Sequence, residues 1–115
     1  MFHWNTNAIK KILEAALPTA VITVESPGGD FDTEEINVRN HSSAGNASVF
    51  AMNTESQAGI TSPADTDADQ LFATYSPRSG MDGANPADMM TVAAVVEALN
   101  AAGFPSTQNG WKSYF

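Results

Sequence analysis

Asp65, Asp67 and Asp69 alternate with small residues in the middle of the sequence. Carboxylates at this spacing could bind Ca²⁺ from a single loop, but such a loop also requires Gly at its sixth position and a bidentate Glu at its twelfth. Those positions hold Gln70 and Ser76. We therefore interpret the aspartates as first-turn residues of a helix, where the helix dipole favours acids. A weak cation site is the alternative.

A second acidic cluster follows the glycine pair at 28–29 and contains Asp30, Asp32, Glu34 and Glu35. Paired carboxylates can perform general acid–base catalysis when a second catalytic group lies nearby. The sequence identifies no such group, and a hairpin turn accounts for the glycines and acids together. We interpret the cluster as a turn.

The histidine and serine residues that could act as a base or a nucleophile do not indicate an enzyme. His3 and His41 are the only histidines, and both are predicted to face solvent. Ser42, Ser43 and Ser79 lie outside any G-x-S-x-G motif. The sequence therefore predicts a protein without catalytic activity and without a cofactor.

The amino-acid composition of the chain excludes some classes of binding partner. The chain has 13 acidic and 5 basic residues, a net charge of -8 and no cysteine. A chain with this balance repels nucleic-acid phosphates and anionic membrane surfaces. Residues 1–7 lack the pattern of a signal peptide, and the apolar runs are too short to cross a bilayer. We expect a cytoplasmic site of synthesis, with no direct nucleic-acid or membrane partner.

Large aromatic side chains lie at both ends of the chain, whereas the middle is polar and rich in small residues. Such side chains are typical interface anchors. They either cover the protein's own core or dock on neighbouring subunits, with residues 1–6 and 104–115 as the docking arms. The predicted interface residues are Phe2, Trp4, Trp111, Tyr114 and Phe115. Met81, Met89 and Met90 add to this supply of anchors.

Two helices are predicted from apolar periodicity. The first covers 7–17, is capped by Asn5 or Asn7 and ends at Pro18. The second runs from Pro86 to Ala102, before Gly103. The apolar stripe of the first is Ile9, Ile12, Leu13, Ala16 and Leu17; that of the second is Met89, Val92, Ala93, Val96 and Leu99.

Three strands are predicted from β-branched and alternating residues at 20–25, 31–39 and 47–53, the first two forming an antiparallel hairpin. A further helix is predicted to start at Ser62-Pro63 and to include 69–75. The sequence thus predicts a single α+β domain over 1–115. It has a small antiparallel sheet of about three strands, the N-terminal and the longer C-terminal helix packed on one face, and an irregular aromatic tail.

These observations favour a non-enzymatic structural subunit of a symmetric assembly, whose partners are copies of itself or other virion proteins. The helix ending at Leu17-Pro18, followed by a strand and hairpin, is similar to the start of phage tail-completion proteins. The specific prediction is a phage virion protein that decorates the head, joins head to tail or completes the tail. The alternatives are a small acidic inhibitor of a host nucleic-acid enzyme and a weak calcium-binding module.

Overall fold

The computed structural model describes residues 2–3, 5–25, 34–53, 59–60, 67–68, 70–74 and 86–108. The helices are α1 (Thr6–Ala16) and α2 (Pro86–Ala101). The strands are β1 (Phe2–His3), β2 (Val21–Glu25), β3 (Glu35–Arg39), β4 (Ala47–Asn53), β5 (Gly59–Ile60), β6 (Asp67–Ala68), β7 (Gln70–Thr74) and β8 (Ser106–Gln108). The class is α+β, as the sequence predicts.

Helix α1 forms where the sequence predicts it. The side chain of Asn5 caps it by accepting a hydrogen bond from the amide of Ala8 at 3.1 Å. Ile9 and Leu13, four residues apart, lie on the buried face. Ala16, which the predicted stripe includes, is exposed because the helix ends there.

The main sheet is larger than predicted and is mixed. Strands β2, β3, β4, β7 and β8 lie side by side in that order, and β5 adds a short pairing to β4. The β2–β3 and β3–β4 pairings are antiparallel, which confirms the three predicted strands. The prediction of about three antiparallel strands is wrong in number and in kind, because β7 and β8 join the sheet and pair in parallel.

Two sequence predictions fail in the part of the sheet around β7 and β8. The segment at 69–75, predicted as a helix, contains strand β7 instead, and β7 pairs with β4 over Ser48–Met52. The tail from residue 104, predicted as an irregular arm with a short hairpin as the alternative, contributes strand β8, which pairs in parallel with β7. The predicted helix start at 62–63 lies outside the described residues.

One face of the sheet carries the core. Both helices contact each other, with α1 against β2 and β3 and α2 against β4, β7 and β8. The side chains between these layers are almost completely buried: Ile9, Leu13, Ile36, Val38, Val49, Leu71, Val92, Val95 and Leu99. Burial of such side chains contributes about 1.5–3 kcal/mol each relative to exposure. The core therefore fixes the position of α2 on the sheet.

The C-terminus of α2 is closed by a Schellman motif. The amide of Phe104 donates to the carbonyl oxygen of Leu99 at 3.0 Å, and the amide of Gly103 donates to the carbonyl oxygen of Asn100 at 3.1 Å. Gly103 has a φ of 92°, in the region that favours glycine. The predicted role of Gly103 as the residue after the helix cap is confirmed.

Candidate functional site

Most of the predicted site residues lie outside the described part of the chain. Trp4, Trp111, Tyr114, Phe115 and the aspartates Asp65 and Asp69 belong to this group. The backbone of Phe2 pairs with Ala68, and His3 pairs with Asp67. The N-terminal arm therefore pairs with its own chain at this point, and Asp67 lies in a strand rather than in the first turn of a helix.

The buried face of α2 differs from its predicted stripe. Its buried residues are Asp88, Thr91, Val92, Val95 and Leu99. Compared with the predicted set, the buried face is displaced by about one residue, or roughly 100° of helix rotation. Met89 and Ala93, which were predicted to be buried, are therefore exposed.

The rotation leaves a largely apolar surface on the outside of α2, which we call the α2 outer face: Pro86, Met89, Met90, Ala93, Glu97, Asn100 and Ala101. Met89 is 51% and Met90 61% exposed. A helix on the surface of a protein usually presents charged and polar side chains to water. This face has Glu97 as its single charge, and it is the candidate functional site.

Helix α1 shows the ordinary pattern and serves as an internal comparison. Its outward side contains Asn7, Lys11 and Glu14, and Lys10 lies 3.7 Å from Glu14 as an ion pair one helical turn apart. The two helices lie on the same side of the sheet, yet one has a charged exterior and the other an apolar one. The difference makes the exterior of α2 a candidate interaction surface.

The orientation of α2 is set by the loop between β3 and β4. The backbone amide of Asn46 donates to Oδ1 of Asp88 at 2.8 Å, and Asp88 is only 3% exposed. The hydroxyl of Ser43 donates to the carbonyl oxygen of Ala87 at 3.2 Å and lies 3.0 Å from Oγ1 of Thr91. Because Asp88 and Thr91 have hydrogen-bond partners inside the fold, the helix can bury them and expose its methionines.

Gly45 allows this loop to approach the helix closely. A Cβ atom at position 45 would overlap the carbonyl group of Ala87 and lie 2.6 Å from Oγ1 of Thr91. Only glycine fits between the loop and α2. The loop and the first turns of α2 thus form one packed unit.

His41 lies at the edge of this unit and is half-buried, whereas the sequence predicts a solvent-facing side chain. Its Nδ1 is 3.4 Å from the hydroxyl oxygen of Ser42 and 3.5 Å from that of Ser43. These distances are longer than the roughly 2.6–3.2 Å of a base that accepts a proton from a nucleophile. The Ser43 hydroxyl bonds to Ala87 and Thr91 of α2 rather than to His41. We therefore interpret His41, Ser42 and Ser43 as residues that position the loop and not as catalytic residues.

The opposite face of the sheet carries a row of polar side chains. Thr23, Asn37, Ser48 and Thr74 are neighbours across four consecutive strands. The hydroxyl of Ser48 donates to Oδ1 of Asn37 at 2.9 Å. Among the described residues, the hydroxyl oxygens of Thr23 and Thr74 find no hydrogen-bond partner, although both are buried. Unpaired buried hydroxyls are unfavourable, so this row contributes less to stability than the core on the other face.

Two carboxylates lie at the end of this row. Glu25 and Glu35 are directly opposite on β2 and β3, and the amide nitrogen of Asn37 donates to both. Burial raises the pKa of the Glu35 carboxyl above its ordinary value, and the charge of Glu25 adds to this rise. The hydrogen bond from Asn37 and the charge of Arg39 oppose the rise in pKa but do not cancel it.

The raised pKa of Glu35 predicts a pH dependence of stability. The folded chain holds the Glu35 proton more tightly than the unfolded chain, so the free energy of unfolding falls as pH rises from the ordinary glutamate range through the folded pKa. We expect Glu35→Gln to remove this fall and to stabilise the protein at neutral pH. Urea denaturation at a series of pH values measures the effect, and Glu14→Gln on the exterior of α1 is the control. A pH profile unchanged by Glu35→Gln contradicts the assignment.

The described residues do not support a metal site or a membrane-spanning helix. Within these ranges, no group of three or more histidine or acidic side chains could hold a metal ion. No described helix is long and apolar enough to cross a membrane. Among the described residues, the α2 outer face is therefore the candidate functional site.

The chain matches no protein-family model, no curated protein and no solved structure. Met89 and Met90 are among the interface anchors predicted from the sequence, but Met89 also belongs to the predicted buried stripe of α2. The sequence predicts a loop at 41–46, but no local pattern indicates that its polar residues bind α2 and fix its rotation.

Proposed function

We propose that this protein is a non-enzymatic structural subunit that assembles through the α2 outer face. The observation that carries the proposal is the adjacent exposure of Met89 and Met90 beside Ala93 on a helix face with one charge. Single exposed apolar residues are common on protein surfaces, whereas contiguous apolar patches mark interaction sites. Methionine side chains adapt their shape to a partner and are frequent at binding surfaces.

The charge of the chain limits where copies of it could contact each other. With a net charge of -8, two copies repel each other through most of their surfaces. An assembly of such chains requires contact regions of low charge, and the α2 outer face meets this requirement. The specific form of the proposal is a phage virion subunit, with copies of itself or other virion proteins as partners. The low charged fraction of 16% and the aromatic chain ends support it.

The two alternative functions have less support. An inhibitor that imitates nucleic-acid phosphates requires a regularly charged surface, and the α2 outer face has only Glu97. A calcium-binding module would depend on Asp65 and Asp69, which lie outside the described residues. Assembly is the function that the described geometry supports best.

Ala93→Glu tests the proposal. The substitution places a carboxylate in the middle of the α2 outer face, where Ala93 is exposed, so the fold should tolerate it. Burying an unpaired charge in a contact costs about 3 kcal/mol or more, which corresponds to at least a hundredfold loss of affinity. Light scattering coupled to size exclusion should show oligomers for the natural chain and monomers for the variant.

The matched control is Ala15→Glu, at an exposed alanine on the charged exterior of α1. We expect it to leave both the oligomeric state and the circular dichroism spectrum unchanged. Assembly that survives Ala93→Glu, or that is lost equally in both variants, contradicts the role of the α2 outer face.

A further inference from the structure

We propose that Glu25 and Glu35 form a proton-controlled latch at the end of the β2–β3 ladder, closed while Glu35 holds a proton and open once that proton is lost. The two residues are the last pair of the ladder and lie directly opposite each other on antiparallel strands. Like charges in this position destabilise the pairing of neighbouring strands. The protonation of one carboxyl therefore controls this end of the ladder, independently of the α2 outer face.

A single amide group holds the two carboxyls together. The side-chain nitrogen of Asn37 donates to Oε2 of Glu25 and to Oε1 of Glu35, the latter at 3.2 Å. The hydroxyl of Ser48 donates to Oδ1 of Asn37, which fixes the amide with its nitrogen towards the acids. Two hydrogen bonds from one nitrogen keep the acceptor oxygens within about 6 Å of each other. Two ionised carboxylates at this distance repel each other, and partial burial strengthens the repulsion.

The surroundings of the pair make Glu35 the carboxyl that holds the proton. Glu25 is exposed and lies 3.9 Å from the guanidinium group of Arg39, whereas Glu35 is half-buried. Burial raises the pKa of Glu35, and the charge of Glu25 adds to this rise against the charge of Arg39 and an accepted hydrogen bond. Among the described residues, Glu25 and Arg39 are the charged groups that act on Glu35. The next strand, β4, presents the uncharged Ser48 and Phe50 on this side of the sheet.

The position of β2 makes it the strand that moves. It is the outer strand of the described sheet and pairs with β3, whereas β3 also pairs with β4. The start of β3 is further attached to α1, because the hydroxyl of the buried Thr6 donates to Oε1 of Glu34 at 2.9 Å. Repulsion therefore displaces the exposed Glu25 from Glu35 rather than the reverse.

The latch opens as pH rises. At a pH below the folded pKa of Glu35, its neutral carboxyl can donate a hydrogen bond to the carboxylate of Glu25. Above that pH the proton passes to solvent and both carboxyls are negative, so the free energy of opening falls over the same interval. No other described strand pair brings two acids opposite each other. The opening is therefore local to this end of β2.

Amide hydrogen exchange, followed from the ordinary glutamate range of pH upwards, tests the latch. We expect the amides of β2 near Glu25 to exchange by local opening, with lower protection factors than those of β4 and β7. As pH rises, the β2 protection factors should fall roughly fivefold, the effect of like charges directly opposite each other on neighbouring strands. Protection factors are compared because they correct for the intrinsic exchange rate at each pH.

Two variants of similar size each remove one charge of the latch. Glu35→Gln and Glu25→Gln should both abolish the fall in β2 protection, whereas the control Glu14→Gln on the exterior of α1 should retain it. Arg39→Gln removes the nearby positive charge that lowers the pKa of Glu35, so the fall should move to higher pH.

Two results would overturn the latch. The first is a fall in β2 protection that persists in both Glu35→Gln and Glu25→Gln. The second is equal protection of β2, β4 and β7 at every pH, because the strands would then separate only when the whole domain unfolds. In that second case the pH dependence of overall stability would stand and the local opening would not.

Discussion

Gly45→Ala should destabilise the protein by about 3 kcal/mol, at the upper end of the losses caused by overpacking. The added Cβ would overlap the carbonyl group of Ala87, which is backbone and cannot rotate away. Relief requires separation of the loop from α2, which breaks the hydrogen bond from Asn46 to Asp88. Domains of this size have about 5–15 kcal/mol of stability in total, so the loss is a large fraction.

We expect Gly45→Ala to affect self-association as well as the loop. The loop holds the first turns of α2, and these turns carry Met89 and Met90. We expect Gly45→Ala to increase hydrogen exchange at the start of α2 and to weaken self-association as well as folding. Urea denaturation followed by circular dichroism measures the stability, and amide exchange locates the change.

Gly103→Ala is the matched control, because the two glycines are required for different reasons. A Cβ atom at position 103 meets nothing within 4 Å, but the backbone has a φ of 92°. The expected cost is therefore conformational, about 1–2 kcal/mol, and independent of packing. Equal losses for the two variants, or an unchanged unfolding midpoint for Gly45→Ala, would contradict the close approach of the loop to the helix.

Local sequence patterns correctly predicted the helices, strands and caps that depend on residues close to one another in the sequence. The apolar periodicity of α1, the β-branched run of β2 and the Gly103 cap were all read correctly because each is a short-range pattern. Strand β7 was misread as helix because its run Leu71–Thr74 is too short to distinguish the two periods. Its identity depends on pairing with β4 and β8, which are distant in sequence.

The candidate site was predicted only in part, and for a related reason. Methionine is apolar, so periodicity alone places Met89 in the core and the polar Asp88 and Thr91 outside it. The structure reverses this assignment because Asn46 and Ser43 satisfy those polar groups. Asn46 is 42 residues from Asp88, and Ser43 is 48 residues from Thr91. No local sequence pattern can predict contacts between residues so far apart. The apolar exterior of α2 is therefore a consequence of tertiary contacts.

Leu99→Ala should destabilise the protein by about 2–5 kcal/mol without altering the α2 outer face. Leu99 is completely buried between α2 and the sheet, about 120° around the helix from the exposed Ala93. Its truncation removes buried methyl groups and leaves a cavity that the sheet cannot fill completely. Thermal and urea denaturation should both show the loss.

Met90→Ala on the same helix should have the reverse effects. Met90 is 61% exposed, and alanine is the best helix former, so the free energy of unfolding should change by less than about 0.5 kcal/mol. The loss of its side chain from the α2 outer face should instead weaken self-association. If Met90→Ala unfolds as readily as Leu99→Ala while assembly persists, then Met90 belongs to the core and the outer face does not bind. The opposite results for two side chains on one helix would separate the residues that build this fold from those that join its copies.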